Sequence, residues 1–428
     1  MIPRYRRAAL ALVAGRTLAA WALAGWTLVG LATPDEARGQ EDRPVELAGP
    51  EAQEIEKLTR ESLFPVQITG FGVGNYTFEG RTDENTFQAS KIAVSLFSEL
   101  SEHLWFFGQL TTLLEEPEAT EQAGGEAAAA ATRWPATDGL LLPQAAVASS
   151  GGEEEEVVTE IEIDNLILSF TPPGLPELSF SIGKFDSPLG FERDDEPLNL
   201  QPTTSLNFEF GRPIKLVGLV GRWNATPKIN VLAMVTNGWE SQVDPNHGKT
   251  VGARVGFLPT KRTSFGIGGT FGPEGEQGET TDRYLLSVDY AFQPSRGFVL
   301  AGEANYGGDD DAAEDGTDAR WAGATLTAFG RVGRRFGLTA RAEVFDDMDG
   351  GRTGEEQTIE SFSLSPAFLF GTGREGIFTN IEHTTLRIPR FQLRGEIRVD
   401  RSNVDSFETS DGLDNWDVRY IVQLVTVF

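Results

Sequence analysis

Arg390-Phe391-Gln392-Leu393-Arg394-Gly395-Glu396-Ile397-Arg398-Val399-Asp400 alternates almost without a break. Phe391, Leu393, Ile397 and Val399 fall on one parity; Arg390, Gln392, Arg394, Glu396, Arg398 and Asp400 fall on the other. Successive side chains of a strand point to opposite faces, so this segment reads as a β-strand with one apolar face and one densely charged face. Residues 334–346 repeat the arrangement, with Phe336, Leu338, Ala340, Ala342 and Val344 opposite Arg335, Thr339, Arg341 and Glu343. Residues 282–292 do so again, with Tyr284, Leu286, Val288, Tyr290 and Phe292 opposite Arg283, Ser287 and Asp289. A strand of a soluble sandwich also alternates. A tall apolar band on every strand, however, would leave a soluble protein with too much exposed apolar surface. Apolar residues facing lipid and polar residues facing a wet interior resolve that conflict.

Working outward from Pro65, turn residues cut the chain into sixteen such segments: 66–78, 86–98, 103–115, 157–170, 177–186, 213–224, 228–238, 249–258, 262–272, 282–292, 297–307, 319–331, 334–346, 357–371, 385–400 and 415–428. Connections alternate in length. Glu99–Glu102, Thr171–Pro176, Ala225–Pro227, Pro259–Lys261, Gln293–Arg296 and Val332–Gly333 are short, whereas Glu116–Glu156, Ser187–Arg212, Gly308–Asp318 and Asp347–Glu356 are longer and polar. Short turns on one side and long loops on the other mark an up-and-down barrel, and a Greek-key sandwich has no reason to segregate them. The expected fold is therefore all-β: a transmembrane antiparallel up-and-down β-barrel of about sixteen strands over 65–428, with a short N-terminal helix. Connection fourteen, Thr372–Thr384, is longer than the rule wants and leaves the count open by two. Segments 157–170 and 213–224 alternate poorly, which suggests a bulge near Asn165.

The two ends agree with export. Arg4, Arg6 and Arg7 precede an apolar stretch from Thr17 to about Ala32, and Ala37-Arg38-Gly39 supplies small residues for cleavage before Gln40, so 1–39 reads as a signal peptide. A retained signal anchor is the other reading; the apolar run falls short of the roughly 20 residues that span a bilayer. Residues 40–64 form a periplasmic segment in which 49–63 is the one good helical stretch. At the far end, Tyr420, Val422, Leu424 and the terminal Phe428 share a face, with Thr426 the polar exception. That pattern resembles the C-terminal signal by which barrel precursors are recognised, and it makes outer-membrane lipid and the barrel assembly machinery expected partners.

Composition excludes several functions. With a formal charge of −28 the chain is a poor ligand for nucleic acid, and the absence of cysteine removes disulfides and thiolate chemistry. The three histidines, His103, His247 and His383, sit apart without hydrolase or zinc spacing, so neither enzymatic activity nor a cofactor or metal is expected. Residues 116–156 hold an alanine run (Ala127–Ala131) and an acidic run (Glu153–Glu156) and read as a solvated external loop.

Ser181-Ile182-Gly183-Lys184-Phe185-Asp186-Ser187-Pro188-Leu189-Gly190-Phe191-Glu192 resembles the GKF-x-(S/T)-P-x-G-x-E segment of the β-barrel porin-2 type family. Asn237-Gly238-Trp239-Glu240, Arg341-Ala342-Glu343-Val344-Phe345-Asp346-Asp347 with Asp349-Gly350, and Arg394-Gly395-Glu396-Ile397-Arg398-Val399-Asp400 are similar to its later motifs, in the same order. The resemblance covers about 65–428 and implies a porin-like channel in the outer membrane of a Gram-negative bacterium. The phosphate-selective porins are a neighbouring family, from which the chain departs in lacking a lysine-rich constriction loop. In trimeric porins the third external loop folds inward, which here would make 187–212 the constriction and a homotrimer the assembly. That loop carries Glu192, Arg193, Asp194, Asp195 and Glu196. Arg254, Arg341, Arg394 and Arg398 are expected across from it, beside Glu343 and Glu396. Acidic loop against basic wall would set a transverse field on passing solutes. Alternatively the carboxylates are solvated and the arginines pair along their own strands. The expected function is passive diffusion of small hydrophilic solutes or ions. An occluded barrel serving adhesion or anchorage, and a soluble all-β binding protein, are the competing readings.

Overall fold

The computed structural model describes residues 66–115, 158–275, 281–295, 297–313, 316–371 and 388–428. The signal peptide, the 49–63 helix, the 116–156 loop and connection fourteen lie outside the described residues.

Sixteen strands form one closed antiparallel barrel. They are β1 (Val66–Glu79), β2 (Asn85–Ser101), β3 (Leu104–Glu115), β4 (Val158–Phe170), β5 (Leu178–Asp186), β6 (Lys215–Thr226), β7 (Ile229–Thr236) and β8 (Thr250–Thr260). Then follow β9 (Thr263–Glu274), β10 (Thr281–Ser295), β11 (Phe298–Asp309), β12 (Ala319–Val332), β13 (Phe336–Asp347), β14 (Gln357–Phe370), β15 (Phe391–Ser402) and β18 (Trp416–Val427). Two further short strands, β16 (Phe407–Thr409) and β17 (Gly412–Asp414), make a hairpin in the last external loop and pair only with each other. Each strand hydrogen-bonds to its sequence neighbour, and β1 meets β18 from Phe71↔Val427 to Glu79↔Arg419. Closure removes the free sheet edges that lipid would not tolerate.

Burial is inverted relative to a soluble protein. On β14, Ser361, Ser363 and Ser365 are buried while Phe362, Leu364, Phe368 and Phe370 stand exposed. On β15, Gln392, Arg394, Glu396, Arg398 and Asp400 are buried and Leu393, Ile397 and Val399 are exposed. The charged parity thus faces the lumen and the apolar parity the lipid.

Both poorly alternating segments have physical causes. Gln109 pairs with Asn165 and Leu110 with Ile163, so Asp164 is an extra residue. This bulge buries Asp164 and Asn165 in succession. β6 has no such shift against β5. Its inner positions Leu216 and Val220 are apolar because they pack with Ile167, Phe185, Leu232 and Met234 inside the barrel. With Leu219 and Trp223 facing outward, the strand is apolar on both faces.

At the C-terminus Tyr420, Val422, Leu424 and Phe428 are all exposed. Phe428 continues the pairing beyond β18, with its N–H donating to Gly70 O at 2.9 Å and its own oxygen accepting from Gly70 N–H at 3.1 Å. The ring lies where a Cβ on residue 70 would be, 2.6 Å from that point, so glycine there makes room for the terminal aromatic.

Candidate functional site: the loop folded into the barrel

The connection 187–214 between β5 and β6 does not project outward. Pro188, Pro197, Pro202 and Pro213 keep it from continuous helix, leaving one short turn at Glu196–Leu198 and a single wide turn at Asn207–Gly211. Irregular backbone carries donors and acceptors with no ladder partners, and these must be satisfied elsewhere. Lumenal side chains of the far wall satisfy them.

Arginines take the loop carbonyls. Arg394 donates to Glu196 O at 2.8 Å, Asn199 O at 2.9 Å and Gln201 O at 3.2 Å. Arg341 donates to Thr203 O at 2.6 Å and Thr204 O at 2.8 Å, and Arg398 also reaches Thr204 O at 2.8 Å. Glutamates take the loop amides: Thr203 N–H donates to Glu396 at 2.9 Å, Leu206 N–H to Glu343 at 2.6 Å and Phe191 N–H to Glu303 at 2.6 Å. Arg341 further pairs with Glu192 and with Glu343, each at 3.0 Å. Gly190 lets the first limb approach: its φ is +76°, and a Cβ there would meet Arg212 Nε at 2.3 Å. Leu189, Leu206 and Phe210 then pack with Trp239, Trp321, Phe345 and Ile359 on the outer side of the loop.

The acidic tip turns the other way. Asp194 meets Lys91 of β2 at 3.3 Å and Lys215 of β6 at 3.1 Å, and Gln109 of β3 donates to Asp195 at 2.8 Å. Lys215 also pairs with Asp164 at 2.7 Å and Asp186 at 2.5 Å. Burial opposes ionisation of Asp194, but Lys215 and Lys91 outweigh it and hold its carboxyl well below the usual range. Burial pushes the Asp195 carboxyl up to about 8 although Lys91 opposes the shift, and burial likewise raises Glu196.

The sequence-read site residues are thus brought together, in a different pairing. Arg341, Arg394 and Arg398 do meet the loop, but they grip its backbone and Glu192 rather than facing Asp194, Asp195 and Glu196 across open water. Arg254 does not touch the loop carboxylates; it pairs with Asp289 at 2.8 Å. Arg193 is turned back on its own loop, donating to Ser187 O at 3.3 Å and Gly190 O at 3.4 Å. Sequence reading missed Lys91, Gln109, Glu303 and Lys215 as partners. Lys91 lies on the parity of Ala93 and Ser95, and Glu303 on that of Ala301 and Asn305, so inward parity was the available signal. His103 stands in a turn, 3.6 Å from Glu102, and His247 lies in an external loop, while His383 is outside the described residues.

Below the first limb, β8 and β9 present Gly252, Gly256, Gly266 and Gly268 to the interior on the parity of Arg254. A Cβ on Gly266 would meet Arg254 Nη2 at 2.1 Å and Asp289 Oδ2 at 2.3 Å. This bare wall leaves a recess lined by Arg193, Arg222, Arg254, Asp289, Leu232 and Leu258, among others.

The sequence pattern of the family described as "Putative beta-barrel porin-2, OmpL-like" matches residues 142–428. The chain belongs to that porin family. No curated protein sequence matches it. Among solved structures the porin is similar to the outer-membrane channel DcaP of Acinetobacter baumannii, with 10% identity and a TM-score of 0.55 over 85% of this chain and 97% of that one. An anion-selective porin from Comamonas acidovorans is also similar, with 11% identity and a TM-score of 0.54 over 85% of this chain and 100% of the other. OmpF of Salmonella typhi, in complex with daunomycin, matches at 10% identity and a TM-score of 0.51 over 85% and 97%. At such identities the likeness is one of fold. Family and fold together make this porin an outer-membrane channel protein of bacteria.

Proposed function

We propose that the barrel is a water-filled channel for passive diffusion of small hydrophilic solutes or ions, with the 187–214 loop as its constriction. One observation carries this reading. The inward parity of the strands is polar and charged, with Ser361, Ser363 and Ser365 on β14 and Gln392, Arg394, Glu396, Arg398 and Asp400 on β15. Such a lining suits a hydrated interior, since polar and charged groups are costly to enclose in a dry apolar one. The loop narrows the passage, since its backbone is bonded to β11, β13 and β15 while its tip is held by β2, β3 and β6. The sites named for the constriction are then Glu192, Arg193, Asp194, Asp195 and Glu196 on the loop, with Arg341, Glu343, Arg394, Glu396 and Arg398 on the wall. Assembly as a homotrimer and recognition of Tyr420, Val422, Leu424 and Phe428 by the assembly machinery belong to the same proposal.

A second reading, an occluded barrel used for adhesion or anchorage, draws on the apolar packing of Leu189, Leu206 and Phe210 against the wall. Swelling of vesicles loaded with a large sugar polymer separates the two. Refolded chain should admit small neutral sugars at rates that fall with solute size. No swelling with any solute, from a barrel shown to be folded, would favour occlusion.

A further inference from the structure

We propose that the external loop 348–356 sets the position of the constriction from outside the barrel, with Arg352 as the positioning residue. Arg352 reaches the return limb of the inward loop, 205–214, where its Nε–H donates to Phe210 O at 2.7 Å. Its guanidinium lies 5.1 Å from the ring centroids of both Trp239 and Trp321, and those two rings meet edge to face at 5.9 Å. Trp321 on β12 is fully buried, and its Nε1–H donates to the next carbonyl, Gly211 O, at 3.1 Å. A planar guanidinium suits this place better than an ammonium, because its face stacks on an indole while its edge donates to a carbonyl. The external loop 237–249 adds a second hold, since Ile214 N–H donates to Glu240. The wall arginines Arg341, Arg394 and Arg398 take loop carbonyls between Glu196 and Thr204. At Phe210 and Gly211, Arg352 and Trp321 take over.

The turn that carries Arg352 is itself fixed. It joins β13 to β14, whose last and first residues, Asp347 and Gln357, are ladder partners. Asp347 Oδ2 accepts the N–H of Arg352 at 2.8 Å, the N–H of Thr353 at 2.5 Å and the Thr353 hydroxyl at 2.8 Å. Gln357 Nε2 donates to that hydroxyl at 3.0 Å, and Gly354 N–H closes the turn on Gly350 O at 3.0 Å. Arg352 therefore extends inward from a turn whose backbone is anchored on the barrel wall. Gly351, Gly354, Glu355 and Glu356 of the same turn are exposed. One side of the loop thus grips the constriction while the other faces the medium.

The proposal rests on the reading of 187–214 as the constriction, and thiol labelling of the detergent-folded full chain tests it. The chain has no cysteine, so Ser205→Cys, at a fully buried position beside the turn at Asn207–Gly211, is a single reporter of docking. A water-soluble maleimide should modify this reporter slowly in the otherwise unchanged chain. Arg352→Ala should speed the modification at least about tenfold, through loss of a hydrogen bond from a charged donor. Arg352→Lys should restore part of the protection. Asp347→Ala, which loosens the turn but keeps Arg352, should also speed labelling, and it serves if Arg352→Ala does not fold. Because both act through one contact, the double variant should be labelled no faster than Arg352→Ala. A second reporter, Ser169→Cys at a buried position on β4, should stay slow in every variant. Unchanged labelling of Ser205→Cys in both variants would overturn the proposal. So would equal acceleration at Ser169→Cys, which marks a loosened barrel, or a double variant faster than Arg352→Ala. Labelling reads docking whether or not the barrel conducts. A chain whose reporter is freed but which passes no solute refutes the channel alone, and one that passes solutes with the reporter unmoved refutes the role of Arg352 alone.

Discussion

Arg394→Leu should loosen the inward loop while leaving the barrel standing. Arg394, on the lumenal face of β15, is 1% exposed and donates to three loop carbonyls, those of Glu196, Asn199 and Gln201. Bonds from a charged donor contribute about 1.5 kcal/mol each at the low end, so their loss weakens docking by about 4–5 kcal/mol. Water in the lumen can hydrate the released carbonyls, which lowers that figure toward about 3 kcal/mol. Even the smaller value shifts the docked-to-undocked ratio more than a hundredfold by the usual logarithmic relation, about 1.4 kcal/mol per factor of ten. The ladders of β14–β15 and β15–β18 do not involve the side chain, so the heat-modifiable mobility of the folded barrel on gels should be unchanged. Single-channel recording should show larger conductance with frequent flickering. Arg394→Lys, keeping the charge without the fork, should fall between the two. Wild-type conductance and noise from a folded Arg394→Leu barrel would refute the idea that these bonds hold the constriction.

Three further outcomes are expected. Leu364→Arg puts a charge on the lipid face of β14 near mid-strand and should cost about 2–4 kcal/mol in urea titrations of refolding into vesicles; a cost near zero would place that face away from lipid. Docking of the loop tip should weaken between about pH 4 and pH 8. Asp195 stays protonated up to about 8 in the fold while a free aspartate ionises near 3.9, so the unfolded or undocked state gains as pH rises through that window. Lys91, Gln109, Asp164, Asp186 and Lys215 surround it, and Asp195→Asn keeps the Gln109 contact. That variant should flatten the pH dependence of channel noise, and an unchanged slope would exclude Asp195 as its source. Deleting Phe428 should lower the amount of barrel in the outer membrane of cells more than the yield of refolding in detergent; equal losses would point to the Gly70 contact rather than to recognition.

Much of the fold was legible because side-chain parity and loop length are local properties. The alternation at 390–400 needed no knowledge of neighbours, and the bulge expected near Asn165 showed as a break in the pattern of 157–170, where Asp164 is the extra residue. β6 was harder, since Leu216 and Val220 are apolar for a reason found only across the lumen, in Leu232 and Met234. The hairpin of β16 and β17 escaped because three-residue strands carry no periodicity. For the site, residue types were read correctly as charged and inward, but not their partners. Whether Asp194 meets Arg394 or Lys91 depends on how far a proline-rich loop travels across the barrel, and local pattern does not encode that distance. The recess stayed hidden because it is made by absent side chains: Val-Gly-Ala-Arg-Val-Gly at 251–256 and Phe-Gly-Ile-Gly-Gly at 265–269 read simply as glycine-rich strands.

Planar-bilayer recording of the refolded chain tests the central claim most directly. A hydrated lumen narrowed by the docked loop predicts steady, ohmic single-channel steps that scale with salt concentration. A bilayer that stays silent in the presence of correctly folded barrel would contradict it.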